Sequence, residues 1–294
     1  RKMSDQKDTP TSSEASAPKA KEEKKARSKM ADQKDTEDSV SPETEQTAGV
    51  RGWVVVVIGG SGAIGGAICR HFAQAGATCV VTYNNNEQGA RDVVTSLAGS
   101  GHWASFVPVD VSTALKDLAA SVTERHGRLD VLVNCAGITR YVAHGDLEGL
   151  DDELIDDIFR VNWRGAFAAV RAFRELLKAG DGGLVINISS IAGVTAMGSN
   201  IAYCASKAAL DSMTKSLARA LAPEIRVVSV SPGLVDTDFV KGLDNKWRNE
   251  QASRTPLKRL ASADEIGAAT VAVATYFRYS TGCIIALDGG RPLA

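Results

Sequence analysis

Seven short β-branched runs, separated by stretches of helical periodicity, constrain this chain more than any other feature of its sequence. The runs are WVVVVI (53–58), CVVTY (79–83), SFVPV (105–109), VLVN (131–134), LVINIS (184–189), IRVVSV (225–230) and CIIAL (283–287). Most are apolar at consecutive rather than alternate positions, the pattern of strands covered on both faces. AICRHFAQAG, EQGARDVVTSL and YCASKAALDSMTKSLARALA instead read as helices. Strand, helix, strand in repetition requires a parallel sheet with right-handed crossovers, so the predicted fold is α/β with a single doubly wound sheet of about seven strands. Ligands of such sheets bind beyond the carboxyl ends of the strands, which singles out the residues just after each run.

The pattern begins only after Gly52. Residues 1–50 hold 10 basic and 11 acidic residues, no aromatic residue, one glycine and four large apolar side chains, Met3, Met30, Val40 and Val50. Such a segment cannot bury enough apolar surface to offset the entropy of ordering, and a disordered polar tail is expected over 1–50 before a folded domain over 51–294. Within it MSDQKDT from Met3 returns as MADQKDT from Met30. Its acidity argues against a transit peptide and its lack of an apolar block against a secretory signal. A solvated appendage and a docking element that orders on a partner are both consistent with it.

The remaining 244 residues carry 24 basic and 24 acidic groups with no basic stripe, which gives no electrostatic footprint for nucleic acid. Near the start, the longest apolar run, Trp53 to Ile58, has six residues where a membrane helix needs roughly 20. Five cysteines (Cys69, Cys79, Cys135, Cys204, Cys283) lie in or beside apolar runs without paired spacing, which points to a reducing, cytoplasmic compartment. The four histidines have no second ligand at i+3 or i+4, so no metal site is expected.

Three features carry chemistry. The first run enters GGSGAIGGAI (59–68), in which Gly60, Ser61, Gly62, Ala63, Ile64 and Gly65 satisfy G-x-G-x-x-G between a strand and a helix. Glycines there let backbone amides approach a pyrophosphate at the helix N-terminus. Tyr203 and Lys207 are four apart at the start of a long helix, hence on one face. An ammonium beside a phenol favours the ionised ring, which suits a group that passes a proton to a ketone or takes one from an alcohol. By itself Tyr-x-x-x-Lys arises by chance in roughly every second or third protein of this size. The LVINIS run ends at Ser189 and Ser190, thirteen residues before Tyr203, so a hydroxyl able to bond a substrate oxygen stands at the same sheet edge. Singly, Ser190 is a loop cap and Lys207 a solvated charge; jointly the three parts converge.

With those parts in this order the chain resembles the short-chain dehydrogenase/reductase family over essentially all of residues 51–294, a resemblance that extends to further motifs. Asn162 in IFRVNWRGAF matches the family's fourth catalytic residue. Asn134, Cys135, Ala136 and Gly137 match its N-x-A-G motif, and Asp110 with Val111 matches the aspartate that contacts adenine. Pro232 and Gly233 match the Pro-Gly at the nicotinamide end, Thr237 the position that meets the carboxamide or pyrophosphate, and Asp288, Gly289 and Gly290 a terminal DGG. The resemblance implies a Rossmann-type fold with cofactor contacts from Gly59, Ser61, Gly62, Ile64, Gly65, Tyr83, Asn84, Asp110, Val111, Asn134, Ala136, Gly137, Tyr203, Lys207, Pro232, Gly233, Val235 and Thr237. It also implies reversible hydride transfer between a nicotinamide and a carbonyl carbon. Tyr203 would pass the proton, Lys207 ease its ionisation and hold the ribose, Ser190 orient the oxygen, and Asn162 support a water relay behind Lys207. Three positions depart from the pattern: Ile58 replaces a threonine, Ala63 the middle glycine of the first motif, and Cys135 the commoner asparagine or alanine. With no base identifiable beside it, Cys135 reads as a packing residue.

NCAGITR is similar to 3-oxoacyl thioester (acyl-carrier-protein) reductases, whereas YVAHGDLEGLDDELID is less so, and the lid expected at 234–260 carries no readable pocket code. A 3-oxoacyl thioester is the leading substrate, with a sugar, polyol or small alicyclic ketone as the alternative. A non-catalytic dinucleotide-sensing scaffold is the rival of a different class, and the intact Asn, Ser, Tyr, Lys set speaks against it. The second run ends in Thr82, Tyr83, Asn84, Asn85 and Asn86 with no acid before Glu87. NADP(H) is therefore expected over NAD(H), modestly, because position 62 lacks the Arg or Lys of strong NADP sites. Helices around 155–178 and 203–221 look apolar on more than one face and pair across subunits in the resembling family, so a homotetramer is expected.

Overall fold

A computed structural model of the protein describes residues 49–108, 112–237 and 244–293. The tail expected over 1–50 lies outside these residues, save Gly49 and Val50; Val50 is fully buried in the core.

The chain alternates strands and helices from β1 (Val54–Ile58) and α1 (Ala63–Gln74) through β2 (Thr78–Tyr83), α2 (Glu87–Ser96), β3 (Trp103–Phe106), α3 (Ser112–His126) and β4 (Val131–Asn134). There follow α4 (Asp152–Phe159), a π turn (Arg160–Gly165), α5 (Ala166–Lys178), β5 (Gly183–Ile188), α6 (Ala192–Thr195), α7 (Ile201–Leu221) and β6 (Ile225–Pro232). The helices α8 (Asn245–Arg254) and α9 (Ala263–Tyr276) precede β7 (Ile284–Leu287). All seven strands pair parallel in the order β3-β2-β1-β4-β5-β6-β7. The sequential winding reverses between β1 and β4, and a crevice opens at such a reversal.

The consecutive apolar residues of β1 feed two cores. Val55 and Val57 pack with Ile68, Phe72, Ile266 and Val273 on the α1 and α9 side. Val54, Val56 and Ile58 pack with Leu115, Val122, Phe173 and Leu177 on the α3 and α5 side. Covering both faces excludes water from the ladder, and so the alternating polar positions of a half-exposed strand are missing.

Two sequence expectations change. SFVPV ends as a strand at Phe106, because Pro108 has no amide to donate to the ladder. The helical stretch over 155–178 is interrupted at Arg160–Gly165, where one π turn carries Asn162. Among the described residues no helix is long and apolar enough to cross a membrane.

Candidate active site

β1 runs directly into the turn Gly59–Gly62. Gly59 has φ +84°, and a Cβ on it would lie 2.7 Å from the Ala136 nitrogen. A Cβ on Gly65 would come within 2.2 Å of the Gly59 oxygen, so both positions require glycine. The turn is tied to β2, since the Gly59 amide donates to Thr82 Oγ1 at 2.9 Å and the Ser61 amide to the Thr82 carbonyl at 3.2 Å. The buried Thr82 hydroxyl thus anchors a turn that follows Ile58. Gly62, the N-cap of α1, has no side chain to satisfy the first-turn amides. Unsatisfied amides at the positive end of a helix dipole, beside a cradle that a Cβ would fill, suit the pyrophosphate of a dinucleotide.

The turn lines a cavity of about 1600 Å³ along the carboxyl ends of the strands. Pockets for one small ligand occupy roughly 300–1,000 Å³, so a dinucleotide and a second reactant both have room. Gly59, Ser61, Gly62, Ile64, Gly65, Tyr83, Asn84, Asn134, Ala136, Gly137, Ser190, Tyr203, Lys207, Pro232, Gly233, Val235 and Thr237 all line it. Asp110 and Val111 lie outside the described residues. At one end Tyr83 meets Phe106 with ring centroids 5.7 Å apart and a 53° tilt.

Ser190 stands two residues beyond β5, its Oγ accepting from the Ala192 amide at 3.2 Å. Tyr203 lies in the first turn of α7, whose N-cap Asn200 accepts the Tyr203 amide at 2.7 Å. The Asn200 Nδ2 donates to Thr139 Oγ1 at 3.2 Å and to the Arg140 carbonyl at 2.7 Å, binding the helix start to the loop after β4. Lys207, one turn on, is buried; its Nζ donates to the Ile188 carbonyl at 2.9 Å and sits 5.8 Å from the Tyr203 ring centroid. An ammonium so enclosed is fixed at the end of the strand that delivers Ser190.

Asn162 stands behind the cavity, fully buried. Its Oδ1 accepts the Ile138 amide at 2.8 Å, and its Nδ2 donates to the Ile138 carbonyl and to Ser206 Oγ, both at 3.1 Å. The side chain therefore pins Gly137 near Lys207, where a Cβ would lie 3.6 Å from Nζ. Desolvation pushes the Cys135 thiol up to about 12, which agrees with a packing role. Asp211, a further turn beyond Lys207, is buried, and desolvation raises its carboxyl above the usual range.

Sequence reasoning missed Thr82, Asn200 and a buried polar ladder. In the ladder Asn134 Nδ2 donates to Asn187 Oδ1, Asn187 Nδ2 to Thr214 Oγ1, and the Thr214 hydroxyl meets Ser229 Oγ, each at 2.8 Å. Asn200 had a signal, an asparagine three residues before Tyr203 at a helix start. The ladder had none, because its bonded partners are up to 53 residues apart.

The chain is similar to known proteins over most of its length. The sequence profile described as enoyl-(acyl carrier protein) reductase matches residues 59–291. The cis-4-hydroxycyclohexanecarboxylate dehydrogenase of Sinomonas cyclohexanicum is 36% identical over 245 residues, 81% of this chain and 95% of that protein. The 3-oxoacyl-(acyl-carrier-protein) reductase of Thermotoga maritima is 31% identical over 245 residues, 82% of this chain and 98% of its own. A solved short-chain dehydrogenase/reductase from Brucella melitensis, described as a glucose/ribitol dehydrogenase, superposes with a TM-score of 0.75 at 28% identity, covering 82% and 97% of the two chains.

Proposed function

Because the chain belongs to the short-chain dehydrogenase/reductase family, and so is a nicotinamide-dependent oxidoreductase of ketones and secondary alcohols, we propose that Ser190, Tyr203 and Lys207 carry the reaction and that a 3-oxoacyl thioester is the substrate. The observation behind this assignment is the one cavity shared by these three side chains and the Gly59–Gly65 turn. A bound nicotinamide supplies or accepts the hydride. Tyr203 hands its phenolic proton to the carbonyl oxygen, or takes it back in the reverse direction. The ammonium of Lys207, steadied by the Ile188 carbonyl, stabilises the charge that develops on that phenolic oxygen, and its other donors would hold the ribose of a bound dinucleotide. Ser190 donates to the same carbonyl oxygen and orients it. Asn162, its side chain spent on Ile138 and Ser206, holds Gly137 beside Lys207. The second reading is a small alicyclic ketone, favoured by 36% identity with the hydroxycyclohexanecarboxylate enzyme against 31% with the thioester reductase.

NADP(H) is the preferred dinucleotide in this reading. Asn84 and Asn85 line the cavity and would offer amides to a 2′-phosphate, and no carboxylate stands between the end of β2 and Glu87, which pairs with Arg91. A carboxylate there would repel a 2′-phosphate; without a guanidinium at position 62 the preference is about tenfold in kcat/KM, or ~1.4 kcal/mol. Residues 51–294, with Val50 packed into their core, act as the catalytic domain, the residues before them as an appendage, and the cytoplasm as the compartment. Trp163 and the part-exposed Phe167 stack at 6.0 Å on the α4–α5 side, and Tyr276, Phe277 and Tyr279 are exposed beside the β7 edge. Two exposed apolar faces suit the two interfaces of a homotetramer. A panel of ketones and alcohols, 3-oxoacyl thioesters among them, followed by nicotinamide absorbance with both dinucleotides tests the assignment. Turnover of a 3-oxoacyl thioester is expected, and no turnover of any ketone or alcohol would overturn the catalytic reading.

A further inference from the structure

One wall of the cavity carries charge that the catalytic set does not use. Asp244, Trp247, Gln251 and Arg254 recur at steps of three, four and three along α8 and its N-cap, so they share one helix face, and all four line the cavity. Arg291, just after β7, joins them there. Among the described residues its guanidinium donates only to neutral acceptors, Gln251 Oε1 at 3.2 Å and the Arg254 carbonyl at 3.4 Å. Arg254 meets Glu250 at a long 3.6 Å, with both side chains more than half exposed. A guanidinium has five N–H donors, so these partners leave most of the donors on both arginines unspent.

The balance of charge on the wall points the same way. Among the described residues that line the cavity, the cations are Lys207, Arg254 and Arg291, and the only carboxylate is Asp244. Asp244 accepts the Lys246 amide at the opposite end of α8, about 15 Å along the axis from Arg254. Planar guanidinium forks of this kind bind carboxylate and phosphate oxygens best, and an anion held by both arginines would offset their like charge.

We infer that Arg254 and Arg291 form an anion subsite for the substrate, which is therefore a ketone bearing a carboxylate or phosphate group away from the reacting carbonyl. The inference rests on the carbonyl-reduction reading above and narrows its substrate. A carboxylate on an alicyclic ring and the phosphate of a pantetheine thioester share the required chemistry.

The test uses matched ketones on the full chain with saturating dinucleotide: 4-oxocyclohexanecarboxylate against its methyl ester, and a 3-oxoacyl phosphopantetheine thioester against the same thioester lacking phosphate. Wild type should favour the anionic member of at least one pair by about tenfold or more in kcat/KM, and the favoured pair identifies the source of the anion. In Arg254→Gln/Arg291→Gln that ratio should fall toward one through KM, with kcat for the neutral ketone retained. Arg219→Gln, on an exposed face of α7, should leave it unchanged. Equal use of the charged and neutral members by wild type would overturn the inference while preserving carbonyl reduction. So would a double variant whose dinucleotide KM rises for every ketone alike, because the arginines would then serve the cofactor's phosphates. Calorimetric titration of the dinucleotide-bound protein with 4-oxocyclohexanecarboxylate and with phosphopantetheine decides the matter even without turnover. Binding that the double variant loses supports the subsite, and absence of binding to wild type removes it.

Discussion

Two residues, Tyr203 and Gly62, bear most of the chemistry at the scale of the residue. Tyr203→Phe removes the transferable proton and little else, since its backbone amide still donates to Asn200. We expect kcat to fall by several orders of magnitude with dinucleotide binding intact, as read by steady-state rates and by quenching of protein fluorescence. Retention of a tenth of the activity would end the assignment. Gly62 is the opposite case, a glycine the backbone does not require. Its φ of −81° and ψ of 166° suit any residue, and an added Cβ would meet nothing nearer than the Gly59 oxygen at 3.5 Å. Gly62→Arg should therefore fold normally and raise the NADPH over NADH ratio in kcat/KM by about tenfold, through a new guanidinium for the 2′-phosphate. An unchanged ratio would mean that position 62 does not face the phosphate. The sequence already exposed the reason both sites could be named, because Gly62 lies in a glycine-rich pattern just after β1 and Tyr203 in a Tyr-x-x-x-Lys pattern at a helix start. It did not expose Thr82, whose hydroxyl matters only through a turn 23 residues earlier in the chain.

At the scale of the element, α1 and α9 pack so closely that Gly267 has no room for a side chain. A Cβ there would come within 2.8 Å of the Ala67 carbonyl and 2.6 Å of His71 Cδ2. Gly267→Ala should lower stability by about 1–3 kcal/mol in denaturant unfolding, and an unchanged midpoint would show that the helices separate freely. The start of α9 carries a capping box, in which Ser262 and Glu265 satisfy each other's backbone amides. Arg259, followed by the Ser262 amide, holds the Glu265 carboxyl down to about 2. A carboxylate whose folded-state pKa is depressed stabilises the fold fully above its unfolded value near 4.5, and loses that contribution as pH falls through about 2. The gap in melting temperature between wild type and Glu265→Gln should be constant above pH 5 and close between pH 4.5 and pH 2, where a constant gap would contradict the ion pair. Ser262 and Glu265 form a pattern readable in the sequence. The π turn around Asn162 is not, because one inserted residue in a helix leaves the apolar spacing on either side almost intact.

The whole molecule adds what no single element requires. If Trp163 and Phe167 are covered by a neighbouring subunit, Trp163→Glu with Phe167→Glu should halve the assembly mass in light scattering from four chains to two. A monomeric wild type, or a variant that remains tetrameric, would contradict this. The strand order has a separate consequence for how such a protein diverges. Because the winding reverses between β1 and β4, the turn at Gly59–Gly65 and the asparagines at 84–86 belong to the first part of the chain, whereas α8 and Arg291 follow β6. The proposed reacting groups Ser190, Tyr203 and Lys207 sit on the stretch between them. If α8 and Arg291 serve the substrate as proposed, copies of such a gene can accumulate changes over residues 244–254 and explore new ketones without disturbing the coenzyme they inherit. Inheritance therefore preserves the redox currency of a lineage more faithfully than the compound on which it is used.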